Sequence, residues 1–365
     1  MTPWMSKIAL SLAAPLLAFV VAGLATTLVL LGAGDNPADF WRTILSWPEN
    51  RNLVNILNYS AILYLSGLAA AIGFRMNLFN IGVEGQYRVA TFAAAVFASQ
   101  ALLPGALNTL AAVVVAMATG ALWAGIAGLL RVTRGVSEVI STIMLNAIAV
   151  ALVAYLLRKV GSREGQAIVT DPIPESSWVP NIPLFSDSVT TFFGLGLLAV
   201  VAGVAFSVVL NRTRFGFNLR ATGQAEAAAV ASGVDVKKMV LYSMLLSGAV
   251  AGLIGMPQLF GASHQYGSTI QTGIGFTGIA VALLGRNNPW GIAAGALIFA
   301  YLTEQANPLG ILAGISPDII AVTQGVVVLS VVIAYEVVRR YRVKLEQQEV
   351  AQALSGDREP QEASR

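Results

Sequence analysis

The sequence predicts an all-α fold: a polytopic membrane helix bundle of about ten transmembrane helices, with both termini in the cytoplasm. Hydrophobic residues make up 56% of the 365 positions, and only 11% of the residues are charged. An ordinary soluble domain has roughly 25% charged residues. A soluble domain of this length could not bury so much apolar surface, so the bilayer must be part of the solvent. The apolar residues also fall into long runs, and a crossing needs about 20 residues.

Ten apolar runs follow one another along the chain. They are 8–31, 56–74, 83–103, 110–130, 139–157, 191–210, 239–259, 273–284, 291–303 and 319–338. The first run is too long for the apolar core of a signal peptide, so we expect a retained helix. The runs 273–284 and 291–303 are short and rich in glycine. Tightly packed or re-entrant segments are therefore alternatives to full crossings there.

Lysine and arginine in the loops predict the orientation, because cytoplasmic loops carry an excess of both. With the N-terminus in the cytoplasm, most basic residues fall inside: Arg75, Arg131, Arg134, Arg212, Arg214, Arg220, Lys237, Lys238, Arg286, Arg339, Arg340, Arg342 and Lys344. The outside loops receive fewer: Arg42, Arg51, Arg158, Lys159 and Arg163. We therefore predict an even number of crossings, with a transmembrane domain over 1–343 and a flexible charged cytoplasmic tail over 344–365.

Several kinds of chemistry are poorly supported by the residues present. The chain has no cysteine and a single histidine, His264. Disulfides, thiolate or His-based metal sites and cysteine nucleophiles are therefore excluded. The sequence also lacks a Walker A motif, so we expect no ATP hydrolysis by this chain alone. We predict no catalytic residue, no metal site, no bound cofactor and no nucleic-acid partner.

The first candidate site is the loop 211–238, which the orientation places inside. Its alanine-rich stretch 224–232 favours a helix, and Gly233 is suited to cap that helix at its C-terminus. Basic residues flank the stretch on both sides. A short helix on the cytoplasmic face could fit a groove in a partner protein. The alternative is an ordinary connecting loop whose basic residues only set the topology.

The second candidate site is segment 75–88, RMNLFNIGVEGQYR. Its two glycines permit a broken helix, which is tolerated at membrane depth where it lines a water-filled cavity. An ionisable residue at that depth, here Glu84, indicates function. The alternative is a tight turn in which Glu84 pairs with Arg75 or Arg88. The candidate path residues in this segment are Asn77, Asn80, Glu84 and Gln86.

Amides within other runs extend this candidate path for a polar, uncharged solute. Asn58 and Asn146 each lie inside an apolar run. Such side chains can face the interior of a bundle and contact a solute. Taken singly, each is more often a hydrogen bond between helices, worth about 0.6 kcal/mol. The residues alone leave both interpretations open.

Four stretches occur in order between residues 50 and 340: FNIGVEGQ at 79–86, RGVSEVISTIMLNAIA at 134–149, TRFGFNLRATGQAEAAAVASGV at 213–234 and GFTGIAVALLGRNNPWGI at 275–292. These stretches resemble the signature segments of nucleoside and simple-sugar ABC importer permeases. That family is related to the ribose and branched-chain amino acid permeases. The EAAAVASG portion resembles the EAA loop of importers but departs from the stricter spacing found in other importer branches.

The resemblance implies the membrane-spanning permease subunit of a bacterial ABC importer in the inner membrane, not an enzyme. It implies transport of a nucleoside or related simple sugar, with ATP used by separate ATPase subunits. It also implies a second permease subunit, which is a paralogue or a second copy, and a periplasmic or lipoprotein substrate-binding protein. The residues that would couple the chain to the ATPase are Arg220, Gln224, Glu226, Ala227, Ala228 and Gly233.

An ion-coupled secondary transporter of a small polar solute is the alternative function. Such a transporter normally has carboxylates near the midplane of the membrane to carry its coupling ions. Glu138, Glu304 and Asp318 lie near the ends of predicted runs. Glu84 is therefore the one candidate for that role.

Overall fold

The computed structural model describes the backbone of residues 3–356 and the side chains of residues 17–341, 343, 344 and 347. In chain order the helices of that part are α1 Pro3–Ala33, α2 Pro37–Ile44, α3 Asn50–Arg75, α4 Val83–Ser99, α5 Gly105–Arg134, α6 Glu138–Val160, α7 Leu197–Arg212, α8 Arg214–Gln224, α9 Glu226–Ala231, α10 Val236–Gly252, α11 Met256–Gln258, α12 Ile274–Leu284, α13 Pro289–Ala306, α14 Leu309–Leu312 and α15 Ile319–Gly356. Two antiparallel strands, β1 Ser162–Glu164 and β2 Ala167–Val169, form a hairpin after α6.

Six segments of the described chain are long and apolar enough to cross a bilayer: Asn50–Arg75, Gly105–Arg134, Glu138–Val160, Gly194–Arg212, Val236–Ser263 and Ile319–Tyr341. Two further apolar helices are shorter, Leu17–Ala33 within α1 and α12. The 11 residues of α12 extend over about 16 Å, which is about half of a hydrocarbon core. A helical membrane protein with several spans is therefore confirmed. The count of ten and the side of each terminus stay predictions.

The chain divides into two compact units, and the smaller joins the two ends of the sequence. It contains the residues up to Ser46 and those from Ala306 onward. In it α1 packs against α15, and the Trp41 indole donates to Thr27 Oγ1 at 3.0 Å. The helix α15 continues past residue 343 without a break. Beyond Gly356, the predicted flexible tail lies outside the described residues.

The larger unit, Trp47–Gln305, is arranged around α3. The apolar part of α3 is 78% buried, whereas that of α6 is 28% buried. Large apolar side chains point outward from the outer helices, for example Leu122 on α5 and Met144 on α6. A soluble protein rarely exposes apolar surface on this scale. The outer faces therefore suit lipid or another membrane subunit.

Small residues bring α5 and α10 into close contact. Gly248 and Gly252 lie one turn apart on α10, and a Cβ atom on either would collide with the backbone of Gly120 or Ala116 on α5. This four-residue spacing of small residues is typical of tight helix pairs in membranes. The distance between α5 and α10 is therefore set by contact of the two backbones.

Two glycines of α12 also allow close contact between helices. A Cβ on Gly275 would collide with the backbone of Glu84, and one on Gly278 would collide with Ser66. The glycines of the run 273–284 therefore allow close packing against α3 and α4. The turn after α12 is also tight, and its non-glycine residues Arg286 and Asn287 have φ of 53° and 56°.

The Gly248→Ala substitution should lower the stability of the larger unit by about 1–3 kcal/mol, because the new Cβ overpacks a backbone contact that cannot move cheaply. Heating the detergent-purified protein and following its monodisperse fraction by size exclusion measures the effect. Gly23→Ala is the matched control, since a Cβ there meets nothing within 4 Å and alanine favours a helix. Equal losses in both variants would contradict the packing assignment.

Candidate functional site

The connection between α3 and α4 interrupts the helical backbone over residues 76–82. Its first part is a tight turn in which the Met76 and Leu78 amides donate to the Gly73 carbonyl at 2.9 and 3.0 Å. Asn77 has the left-handed φ of 58° that this turn requires, and its side chain is exposed. Non-helical backbone at membrane depth needs other partners for its polar groups. Buried side-chain amides supply them.

Asn80 and Gln86 form a buried pair of amides at the centre of this connection. Asn80 Oδ1 accepts from the Gly82 amide at 3.0 Å and from Gln86 Nε2 at 2.9 Å. Asn80 Nδ2 donates to Gln86 Oε1 at 3.1 Å and to Ser247 Oγ, on α10, at 2.8 Å. Ser247 Oγ donates in turn to the Ala69 carbonyl of α3 at 2.6 Å. One network thus joins α3, α4 and α10.

Asn146 joins α6 to the same connection. Its Oδ1 accepts from the Gly85 amide at 2.8 Å, and its Nδ2 donates to the Ile81 carbonyl at 2.9 Å. A Cβ on Gly85 would collide with Asn146, so the glycine permits the approach. Both ends of the amide are therefore used on main-chain groups of another segment.

Glu84 joins α4 to α12. Its Oε1 accepts from Arg88 Nε at 2.7 Å and from the Gly273 amide at 2.9 Å, and its Oε2 accepts from the Gly275 amide at 2.9 Å. The side chain is buried, and a carboxylate at a helix N-terminus is electrostatically favourable. The predicted pairing of Glu84 with Arg88 is confirmed. Three of about four acceptor positions are occupied, which leaves little capacity to carry a coupling ion.

The structure brings Asn80, Glu84, Gln86 and Asn146 together, but not Asn58. Asn58 lies about 22 Å along α3 from Gly73. There its Nδ2 donates to the Thr191 carbonyl at 2.9 Å, and its Oδ1 accepts from the Phe193 amide at 2.9 Å. These bonds hold the segment that contains Thr191 and Phe193 outside the helix. α7 therefore starts at Leu197, whereas the predicted apolar run starts at residue 191. Ser247 belongs to the cluster, although a serine in an apolar run gave no signal in the sequence.

The loop 211–238 contains two helices: α9, which lies within the stretch 224–232 predicted to be helical, and α8 before it. α8 is capped by Thr213, whose Oγ1 accepts from the Gly216 amide at 3.1 Å. It ends at Gln224, and the next residue, Ala225, is extended with φ of −154° and ψ of 93°. The extended residue breaks the predicted helix, so α9 begins at Glu226. Gly233 follows with φ of 81°, which only glycine adopts readily.

α8 and α9 lie against the α3–α4 connection. A Cβ on Gly223 would collide with the backbone of Met76. A polar cavity of about 370 Å³ lies beside them and is lined by Asn77, Arg131, Gln224 and Glu226, among others. The loops that the sequence predicted on one side thus meet at one end of the larger unit, which we call the basic end.

The opposite end is capped by the long loop after α6. The Trp178 ring stacks on the His264 ring, with centroids 3.7 Å apart and planes 12° apart. The Ile173 amide donates to the His264 carbonyl at 2.8 Å, and the Trp178 indole donates to the Ile173 carbonyl at 2.9 Å. Burial lowers the pKa of His264 below its usual value, so the ring is neutral at pH 7.

Comparison with known proteins places this architecture in a transport family. Residues 52–334 match the family described as branched-chain amino acid transport system / permease component. This chain is a member of that permease family. As predicted, the permease is a transport subunit rather than an enzyme.

Similar relatives carry the names of ABC transporter permeases. A guanosine ABC transporter permease protein of Bacillus subtilis is 33% identical over 88% of this permease and 93% of its own length. A glucose ABC transporter permease protein of Haloferax volcanii is 33% identical over 80% and 78%. A nucleoside ABC transporter permease protein of Lactococcus lactis is 30% identical over 88% and 90%. The resemblance to nucleoside and simple-sugar ABC permeases is thus confirmed.

The Asn80→Leu substitution should destabilise the permease by about 1–3 kcal/mol for each buried partner left unsatisfied. The Gly82 amide and the Gln86 side chain would both lose a partner. Thermal unfolding in detergent measures the loss. Asn77→Gly is the matched control in the same turn, since glycine tolerates its backbone and the side chain is exposed, and we expect a change within about 0.5 kcal/mol. Comparable unfolding temperatures for the two variants would rule out the bracing role of Asn80.

Proposed function

We propose that this permease, in a bacterial inner membrane, imports a nucleoside or a related simple sugar with energy from ATP hydrolysed by separate subunits. The relatives named for guanosine, nucleosides and glucose are 30–33% identical over most of the chain. These solutes share ribose or hexose hydroxyl groups, which favours a path lined by hydrogen-bonding groups. A periplasmic or lipoprotein binding protein would deliver the solute.

The coupling element in this proposal is α9. Its Ala227, Ala228 and Val230 side chains are exposed, and Val230 is 59% accessible. A six-residue helix is too short to be stable by itself in water, and an exposed apolar face favours burial against a partner. This surface is the observation that carries the proposal, and the partner is the ATPase. Arg220, Gln224, Glu226 and Gly233 then hold the docked helix in place.

α8 provides a direct mechanical connection from α9 to the membrane helices. Gly223 lies against the backbone of Met76, at the start of the connection that Asn80 and Asn146 brace. Displacement of α9 by the ATPase would therefore reach α4, α6 and α10 through hydrogen bonds rather than through a flexible loop. ATP-driven closure of the ATPase dimer would in this way change access to the solute path.

The solute path in this proposal runs between this permease and a second permease subunit, which is a paralogue or a second copy. The buried amides of Asn80, Gln86 and Asn146 form their hydrogen bonds with other groups of this chain. They therefore hold in position the segments that form the wall of the path. Asn58 supports its outer end, and the exposed Asn77 lies at its inner end.

The Ala228→Arg substitution should abolish most ATP-dependent uptake, because a long charged side chain would stand in the apolar contact with the ATPase. Uptake of radiolabelled guanosine and glucose by proteoliposomes holding the whole importer measures this. Gln100→Arg is the matched control, since Gln100 is exposed at the far end of α4. Full uptake by Ala228→Arg would exclude the coupling role of α9.

The same proteoliposomes separate the proposed function from the ion-coupled alternative. We expect uptake to stop when ATP is depleted and to persist when an uncoupler removes the ion gradients. Uptake that survives ATP depletion and collapses with the uncoupler would overturn the proposal.

A further inference from the structure

An apolar groove opens on the larger unit between α3, α7 and α13. Its volume is about 460 Å³, and Tyr64, Val204, Val208 and Trp290 are among the residues that line it. This volume lies within the usual range for small-molecule sites, about 300–1,000 Å³. The lining extends from Gly196, just before α7, along α7 to Val208, about 18 Å of helix. That length matches roughly half of a 30 Å hydrocarbon core, the depth of one leaflet.

One end of the groove lies where a membrane surface is expected. Trp290, in the first turn of α13, lines the groove and is 83% exposed. Tryptophan is enriched at the level of the lipid headgroups. The tight turn at Asn287 directly precedes it, at the basic end of the unit. The groove therefore runs from headgroup level into the hydrocarbon region.

Two neighbouring arginines at this end, Arg75 and Arg220, form no ion pair with a carboxylate among the residues whose side chains are described. Arg75 donates through Nε and Nη2 to the Asn287 carbonyl at 3.0 and 2.8 Å, and its guanidinium lies 6.0 Å from the centroid of the Phe206 ring on α7. Arg220 lies on α8, which approaches Arg75 so closely that a Cβ on Gly223, three residues after Arg220, would lie 2.9 Å from the Arg75 carbonyl oxygen. The Nη1 atom of Arg220 is buried and has no hydrogen-bond partner within the described chain, and the same holds for Asn287 Oδ1. Two half-buried cations side by side with no anion between them are unfavourable.

We propose that an anionic membrane phospholipid occupies this site. One acyl chain lies along α7 in the groove, and the phosphate is held between Arg75 and Arg220. A carboxylate of the ATPase could neutralise the arginines, but it would leave the adjoining leaflet-deep apolar groove unexplained. The lipid fastens α3, α7 and the α12–α13 turn together at the end where α8 begins. The inference depends on the membrane location of the chain and not on the solute or on the docking of α9.

Native mass spectrometry of the full-length permease, after reconstitution in equal amounts of phosphatidylglycerol and phosphatidylcholine, tests the proposal. We expect wild type to retain phosphatidylglycerol preferentially. Arg75→Gln and Arg220→Gln should each lower that preference by about fivefold. Val204→Trp should fill the groove and reduce retention of both lipids. Arg134→Gln, an exposed arginine, and Ile148→Trp, on the exposed face of α6, are the matched controls and should behave as wild type.

A second measurement needs no variant. Phosphatidylglycerol with a photoreactive diazirine in its acyl chain should label wild-type peptides from α7 and α13. Labelling confined to other helices, or equal retention of the two lipids, would overturn the proposal. So would unchanged lipid retention in Arg220→Gln, because the arginine would then act only in holding α9 against the ATPase.

Discussion

The fold depends on one constraint: backbone polar groups away from water must find partners inside the protein. The chain leaves helical geometry over residues 76–82, and Asn80 and Asn146 bond to the main chain at the end of that break and in the first turn of α4. Because these amides come from α6 and from the break itself, the same bonds fix where α4 and α6 meet. Glu84 extends the arrangement to α12. Hydrogen bonds at and beside one interrupted segment thus set the positions of α4, α6 and α12.

This constraint changes how polar residues in the spans should be interpreted. Amides in a transporter suggest solute contacts, but here their donors and acceptors are committed to other helices. In the function we propose, they act as rigid connections that carry the displacement of α9 into the bundle. A transporter needs such connections because a flexible turn would absorb the motion. Close glycine contacts, such as that of Gly248 of α10 with the backbone of α5, also make the bundle rigid because they bring helix backbones into direct contact.

Local features of the fold followed from the sequence, whereas long-range partners did not. Apolar runs located the six candidate spans of the described chain, and Gly233 was correctly expected at a helix end. The helix predicted over 224–232 is present as α9, but it starts two residues later, because Ala225 adopts an extended conformation that alanine composition does not signal. Arg88 was one of the two partners proposed for Glu84, because it lies one turn away in the same helix. The bond between Asn80 and Ser247, 167 residues apart, required the packed structure.

The most direct test of the account concerns the exposure of α9. The chain has no native cysteine, so an Ala228→Cys variant carries a single reactive thiol. We predict that a membrane-impermeant maleimide labels it in inverted vesicles and not in spheroplasts, and that bound ATPase protects it. Labelling in spheroplasts would place α9 on the wrong side of the membrane. Undiminished labelling with the ATPase bound would contradict the central claim that α9 receives the mechanical work.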